Sequence, residues 1–181
     1  MSMPNPYISY EAYLEMQNCT DDKLEYHNGL VVNMSPTSIK HNIIVNNIVF
    51  EMKKFFKGTN CKVFSEQIGV IFQDDKSKYE FQPDVFVICD GKTKGEKFIS
   101  TPCIIFEVLS KATASNDLFD KPKIYERFGV IEYNIVNQDG SILQYGLKDG
   151  SYEVVANYTK DDTYESIVYP DLKILLKDIF E

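Results

Sequence analysis

One acidic residue interrupts the most apolar stretch of the chain, and it restricts what the chain can fold into. In Cys103-Ile104-Ile105-Phe106-Glu107-Val108-Leu109 every residue except Glu107 is apolar, and a second run, Val85-Phe86-Val87-Ile88, follows Pro83-Asp84. Short unbroken runs rich in β-branched and aromatic residues read as strands covered on both faces, so structure must lie above and below them. With side chains alternating along a strand, Ile105, Glu107 and Leu109 share one face while Ile104, Phe106 and Val108 share the other. Glu107 is therefore expected inside. An ionised carboxylate there is costly unless it is paired, hydrogen-bonded, protonated or bound to a metal.

The rest of the sequence supplies the covering layers. A short helical pattern follows Ser9, with Ala12, Tyr13 and Met16 on one side, and Leu24 to Val32 reads as a hairpin around Asn28-Gly29. From about Ser38 to Phe56, Ile43, Ile44, Ile48, Met52, Phe55 and Phe56 recur at helical spacing. Lys53, Lys54 and Lys57 gather at its end, where cations suit the negative pole of the helix dipole. Strand patterns follow at Lys62 to Val70 or Phe72, with a break allowed at Gly69, then at Asp84 to Ile88 and Cys103 to Leu109. A second helix is expected no earlier than about Phe119, because Pro122 fits only a first turn, and it stops at Gly129. Strands return at Glu132 to Val136, Ser141 to Leu147 and Tyr152 to Tyr158, and the chain closes on Leu172 to Leu175 and Ile179-Phe180. This order predicts an α+β domain, residues 1–181 as one unit, with a mixed β-sheet flanked by helices.

Charge narrows the function classes. The 181 residues carry 27 acidic against 19 basic side chains, a formal net charge of -8, and Arg127 is the only arginine. That field repels phosphates, and one arginine leaves little for bidentate reading of guanine, so any nucleic-acid contact is expected through a local site. No run approaches the length of a membrane helix and the polar start lacks a signal-peptide apolar stretch, which predicts a cytoplasmic protein with no membrane partner. Cys19, Cys61, Cys89 and Cys103 lie far apart without metal-ligand spacing and read as core or idle thiols.

Asp84 enters the first buried run and Glu107 lies within the second. Two adjacent strands joined by the polar loop from Asp90 to Thr101 would bring these acids side by side, which outlines a site for a hard cation such as magnesium. A strand-start aspartate capping local backbone and a glutamate paired with a lysine fit the same pattern.

At this point the chain resembles the PD-(D/E)XK nuclease superfamily and, within it, the Uma-type restriction endonucleases. The resemblance runs from about Tyr7 to Phe180 through Leu24-Glu25-Tyr26-His27-Asn28-Gly29, Met34-Ser35-Pro36 with His41, and Gln82-Pro83-Asp84-Val85. It continues through Phe106-Glu107-Val108-Leu109-Ser110, Asp117-Leu118 with Lys121 and Tyr125, and Gly129-Val130-Ile131-Glu132-Tyr133 with Ile135-Val136. It implies a restriction-endonuclease-like core and a divalent-metal site, for Mg or Mn, that activates water against a phosphodiester. By position, Asp84 and Glu107 would hold the metal with the backbone carbonyl of Val108 as a further ligand. Glu25 would hold a water of the metal or a second ion. The superfamily lysine two residues after the glutamate is replaced by Leu109, and the resemblance points to Lys121, on the following helix, as its relocated counterpart. His41 coincides with a family position, although a polar helix-start residue is the plainer reading. Glu66-Gln67 would supply hydrogen bonds behind the ligands, and His27 receives no role.

The function so implied is a Mg-dependent endodeoxyribonuclease that hydrolyses phosphodiester bonds with Asp84, Glu107, Glu25 and Lys121. Its acidic surface calls for a homodimer, a protein partner, or a small or single-stranded substrate. The alternative is a catalytically inactive nuclease-fold interaction module, with a structural homodimer as a further form, since 12 Tyr and 12 Phe could build an aromatic patch.

Overall fold

The structure is a computed structural model that describes residues 7–34, 37–110 and 121–181. Ser35, Pro36, Asp117, Leu118 and Phe119, which carry parts of the sequence reading, lie outside the described residues.

The first third of the chain follows its local signals. Helix α1 (Tyr10–Asn18) starts where the Ser9 hydroxyl accepts the Ala12 amide. The hairpin of β1 (Leu24–His27) and β2 (Leu30–Asn33) turns at Asn28 and Gly29, both at positive φ. A Cβ on Gly29 would clash with the Tyr7 ring, so glycine is required there by space as well as by backbone conformation. Helix α2 (Ile39–Phe55) is capped by Ser38, whose hydroxyl accepts the His41 amide. Its buried face is His41, Ile44, Val45, Ile48 and Met52. Ile43, expected on that face, is 46% exposed, because the stripe runs one residue to its side.

Two six-stranded sheets and a small hairpin follow. The segment read as one interrupted strand divides into β3 (Lys62–Ser65) and β4 (Val70–Gln73), which join different sheets. The break begins at Glu66, whose φ of 38° takes the backbone out of the extended region. Strand β5 (Lys78–Phe81) escaped the sequence reading because its inward residue Glu80 breaks the apolar pattern. Next come β6 (Val85–Ile88), the two-residue strands β7 (Thr93–Lys94) and β8 (Lys97–Phe98), β9 (Ile104–Val108) and helix α3 (Lys121–Arg127). The order closes with β10 (Glu132–Asn137), β11 (Ser141–Lys148), β12 (Ser151–Thr159), β13 (Thr163–Glu165), β14 (Lys173–Leu175) and α4 (Lys177–Phe180).

One sheet runs β2-β1-β5-β4-β8-β7 and the other β12-β11-β10-β9-β6-β3; each is mixed, with one parallel pair, β4 with β8 and β9 with β10. Strands β6 and β9 lie inside the second sheet and are buried along their whole length, as their unbroken apolar runs require. On one face Val85, Val87, Ile104, Phe106 and Val108 pack against Ile44, Val45 and Ile48 of α2 and against Ile179 of α4. On the other, Phe86, Ile88 and Ile105 meet Val70, Phe72 and Phe81 of the first sheet and Tyr125 of α3. The fold class is thus α+β with mixed sheets flanked by helices, and Glu107 faces the layer between the two sheets.

Cys61 and Cys89 are joined by a disulfide, which corrects the reading of four separate thiols. Lys62 is the register partner of Ile88, so the residues just outside that pair fall opposite each other. Strand pairing, invisible in sequence spacing, brings them together.

Candidate active site

The site is built on one rung of the ladder between β6 and β9. Val85 pairs with Phe106 in an antiparallel register, so the next rung places Asp84 opposite Glu107. The Asp84 amide donates to Glu107 Oε2 at 3.3 Å, and Asp84 Oδ2 accepts the Val108 amide at 2.7 Å. Both side chains are buried.

Other elements converge on this rung. Lys121, the first residue of α3, is 1% exposed and sets its Nζ 3.3 Å from Glu107 Oε1 and 3.1 Å from Glu25 Oε1. Tyr125, one turn further along α3, donates its hydroxyl to Glu107 Oε1 at 2.7 Å. Glu25, from the middle of β1, also accepts the Gln82 amide at 2.9 Å. From α2, His41 Nε2 reaches Asp84 Oδ2 at 3.1 Å. Four of the expected residues, Asp84, Glu107, Glu25 and Lys121, therefore share one buried network, together with the backbone of Val108. Lys123 is exposed, as the rotation of two positions along a helix requires.

The electrostatics follow from burial against partners. Burial opposes ionisation of Glu25, but the Lys121 ammonium, a contact with His27 and the Gln82 amide outweigh it and hold the carboxyl at about 2. Burial pushes the Tyr125 hydroxyl well up, and the Glu107 and Glu25 charges beside it push the same way, so Tyr125 stays a donor. For His41 burial favours the neutral ring, yet the hydrogen bond and charge of Asp84 and the charge of Glu66 prevail and move it up.

The residues fit a divalent cation by their donor chemistry. Among the described residues, Glu25, Glu66, Asp84 and Glu107 bring four carboxyl groups against the Lys121 ammonium and the imidazoles of His27 and His41, a concentration of acids in a largely buried place that a cation relieves. Asp84 and Glu107, the two expected ligands, present oxygen donors from neighbouring strands, as hard cations prefer.

Three residues were undervalued by sequence reasoning. His41, taken as a helix-start residue, is 2% exposed; its signal was its place on the stripe that continues through Ile44, Val45 and Ile48. Tyr125 was detectable as the residue four after Lys121 on the same helix face. His27 lies two residues along β1 on the same face, with Nε2 3.4 Å from Glu25 Oε2. Of Glu66-Gln67, Glu66 turns toward His41 and Gln67 is exposed. Glu66 also lines a cleft of about 610 Å³ together with Asp21, Asp22, Lys23, Asn33 and Thr37.

The family described as "Uma2: Putative restriction endonuclease" matches residues 10–176. An uncharacterized protein of Synechocystis sp. is 27% identical over 168 residues, covering 91% of this chain and 87% of its own length. A crystal structure described as "a putative nuclease belonging to DUF820 from Anabaena variabilis" superposes with a TM-score of 0.77 at 18% identity, over 96% of this chain and 97% of that one. This last likeness concerns the fold. No helix among the described residues is long and apolar enough to cross a membrane.

Proposed function

The chain belongs to the Uma2 family, and from that premise we propose that it is a divalent-metal-dependent endonuclease that hydrolyses phosphodiester bonds in DNA. Asp84, Glu107 and the carbonyl of Val108 would hold the ion, Mg²⁺ or Mn²⁺, which when bound supplies charge neutralisation and a polarised water. Lys121 sets a fixed positive charge where negative charge develops on the phosphate, a service most effective in a site already organised to give it. Glu25 holds that ammonium from the far side. Tyr125 orients Glu107 through its hydroxyl, and His41 steadies Asp84.

The observation that carries this reading is the position of Lys121 Nζ between Glu107 and Glu25. The chain has Leu109 where a nuclease of this kind has its lysine, and a buried ammonium from α3 stands beside the same carboxylate. The test is a cleavage screen over single-stranded, double-stranded and branched DNA and RNA with Mg²⁺ or Mn²⁺, comparing native protein with Glu107→Gln. Metal-dependent cleavage of DNA by the native chain alone supports the reading; cleavage that survives Glu107→Gln removes Glu107 from it.

A second reading, an interaction module that keeps the fold without cleavage, draws on the depth of Lys121, 1% exposed and engaged by two carboxylates. It predicts a stable protein inactive on every substrate of the screen.

A further inference from the structure

Three of the four cysteines meet at one end of three neighbouring strands. Cys61 precedes β3, Cys89 follows β6 and Cys103 precedes β9, and in the sheet β6 lies between the other two. Cys89 is bonded to Cys61. Its Sγ is also 3.9 Å from the Sγ of Cys103, so a free thiol touches the bridge. The Cys103 amide donates to the Val87 carbonyl at 2.9 Å, which fixes that thiol against β6. All three side chains pack at the margin of the core that α2 covers.

The surroundings suit an exchange of partners. Tyr169 sets its hydroxyl 3.0 Å from Cys89 Sγ and 3.3 Å from Cys61 Sγ; burial and the neighbouring Cys103 push that hydroxyl up, so it remains a donor to sulfur. Cys61 lines a cleft of about 370 Å³ together with Phe56, Lys53, Lys57 and Lys62. Nearby cations favour a thiolate, and the thiol that ionises more readily is the faster leaving group in thiol–disulfide exchange. Cys103 has the opposite setting. Burial pushes its thiol up against the hydrogen bond of Tyr169, the charge of Glu132 adds to the rise, and a thiolate formed in such a place is the stronger nucleophile.

We propose that Cys61, Cys89 and Cys103 form a thiol–disulfide exchange site, in which Cys103 attacks Cys89 and releases Cys61 into the lysine-lined cleft as a modifiable thiol. Cys103 gives its proton to solvent and its sulfur lone pair forms the bond to Cys89 Sγ, while the electron pair of the Cys61–Cys89 bond leaves with Cys61 Sγ. One disulfide is broken and one is made, so no oxidant or reductant enters. The covalent tie thereby moves from the edge strand β3 to the inner pair of β6 and β9. The cluster lies at the opposite end of β6 from Asp84, and the inference does not depend on cleavage.

The test is to trap the released thiol. Full-length native chain, Cys19→Ser and Cys103→Ser, each checked for folding by circular dichroism, are held without reductant in excess N-ethylmaleimide at about pH 8.5, where thiols ionise. They are then digested at acid pH, where exchange stops, and mapped by mass spectrometry. Native chain should yield maleimide on Cys61 and a Cys89–Cys103 bridge, at a rate independent of protein concentration. Cys19→Ser should behave in the same way, which excludes the exposed Cys19 of another molecule as the attacking thiol. Cys103→Ser should keep the Cys61–Cys89 bridge and lose the label on Cys61. The new bridge is identified in native chain directly, so the test stands if Cys103→Ser folds poorly. Label on Cys103 with the original bridge intact, or no label beyond Cys19, overturns the exchange, and so does a Cys61 label that survives Cys103→Ser.

Discussion

Lys121 Nζ lies 3.3 Å from Glu107 Oε1, a contact that ties the first turn of α3 to β9 across 14 residues of chain. It gives the buried carboxylate of β9 the counter-charge that its own strand, with Leu109, lacks. Removing the ammonium strands Glu107 and Glu25 out of water. Lys121→Met should therefore destabilise the metal-free protein by about 3–5 kcal/mol, the usual cost of breaking a buried pair from one side. Urea unfolding measures it, with Lys123→Ala as the control that should stay within about 0.5 kcal/mol. Adding Glu25→Gln to Lys121→Met should recover part of the loss, a coupling that a double-mutant cycle reads directly.

Glu25 should impose an acid limit on stability. Its folded carboxyl, at about 2, lies below the ordinary value of about 4.3, so the unfolded chain takes up the proton first. The contribution is complete above about pH 5 and fades as the pH falls through 4 toward 2; its full size is on the order of 3 kcal/mol. Unfolding free energies of native protein and Glu25→Gln, measured from pH 6 to pH 3, should converge by about 2 kcal/mol. A constant gap between them would show that Glu25 is not held ionised by Lys121.

Glu107→Gln distinguishes a repelling pair of acids from a paired one. Two neighbouring buried carboxylates, read from sequence, suggest that the amide should relieve repulsion and stabilise the metal-free fold or leave it unchanged. Lys121 and Tyr125 both bond Glu107 Oε1, and the prediction reverses. The variant should lose about 2–3 kcal/mol without metal, since bonds to a charged acceptor are the stronger kind. Thermal melts in a chelating buffer decide the sign.

Glu132 is a buried acid of another kind. One oxygen accepts the Ser166 hydroxyl and the Ile167 and Val168 amides, at 2.7, 3.0 and 3.3 Å, and the other is held by Gln144, Asn134 and Tyr164. It ties β10 to the segment before β14 and, among the described residues, has no tie to the Asp84 rung. Glu132→Ala should cost at least about 3 kcal/mol in unfolding because several buried donors lose their acceptor at once. Mn²⁺ binding by the folded variant, followed calorimetrically, should match that of native protein.

The part of this architecture that could be read from the sequence is the part governed by local chemistry. The Asn28-Gly29 turn, the Ser-capped helices and the central runs of β6 and β9 declare themselves within a few residues. The rung that joins Asp84 to Glu107 was legible because two buried strands each carried one misplaced acid. What stayed hidden depends on distant pairing. Cys61 and Cys89 meet only because β3 lies beside β6, and β5 is masked by Glu80, a buried acid satisfied by Tyr10, Tyr13 and Lys97 from elsewhere in the chain. His41 fell between the two cases. Its helical stripe was readable, but the acids it faces come from β6 and from the bend after β3.

The relocation of the lysine is tested most directly by single-turnover cleavage with saturating Mg²⁺, on the DNA that the screen identifies, comparing native chain, Lys121→Ala and Lys123→Ala. Each protein is used under conditions where circular dichroism shows it folded. Lys121→Ala should cut at least about 100-fold more slowly, in line with loss of one organised charge at a developing anion. Its Mn²⁺ affinity should stay within a few-fold of native, since an interaction made in the transition state affects turnover and not ground-state binding. Lys123→Ala should cut at the native rate. If Lys121→Ala cleaves as fast as native protein, Lys121 is a structural counter-ion of Glu107 and Glu25, and the catalytic role assigned to it is wrong.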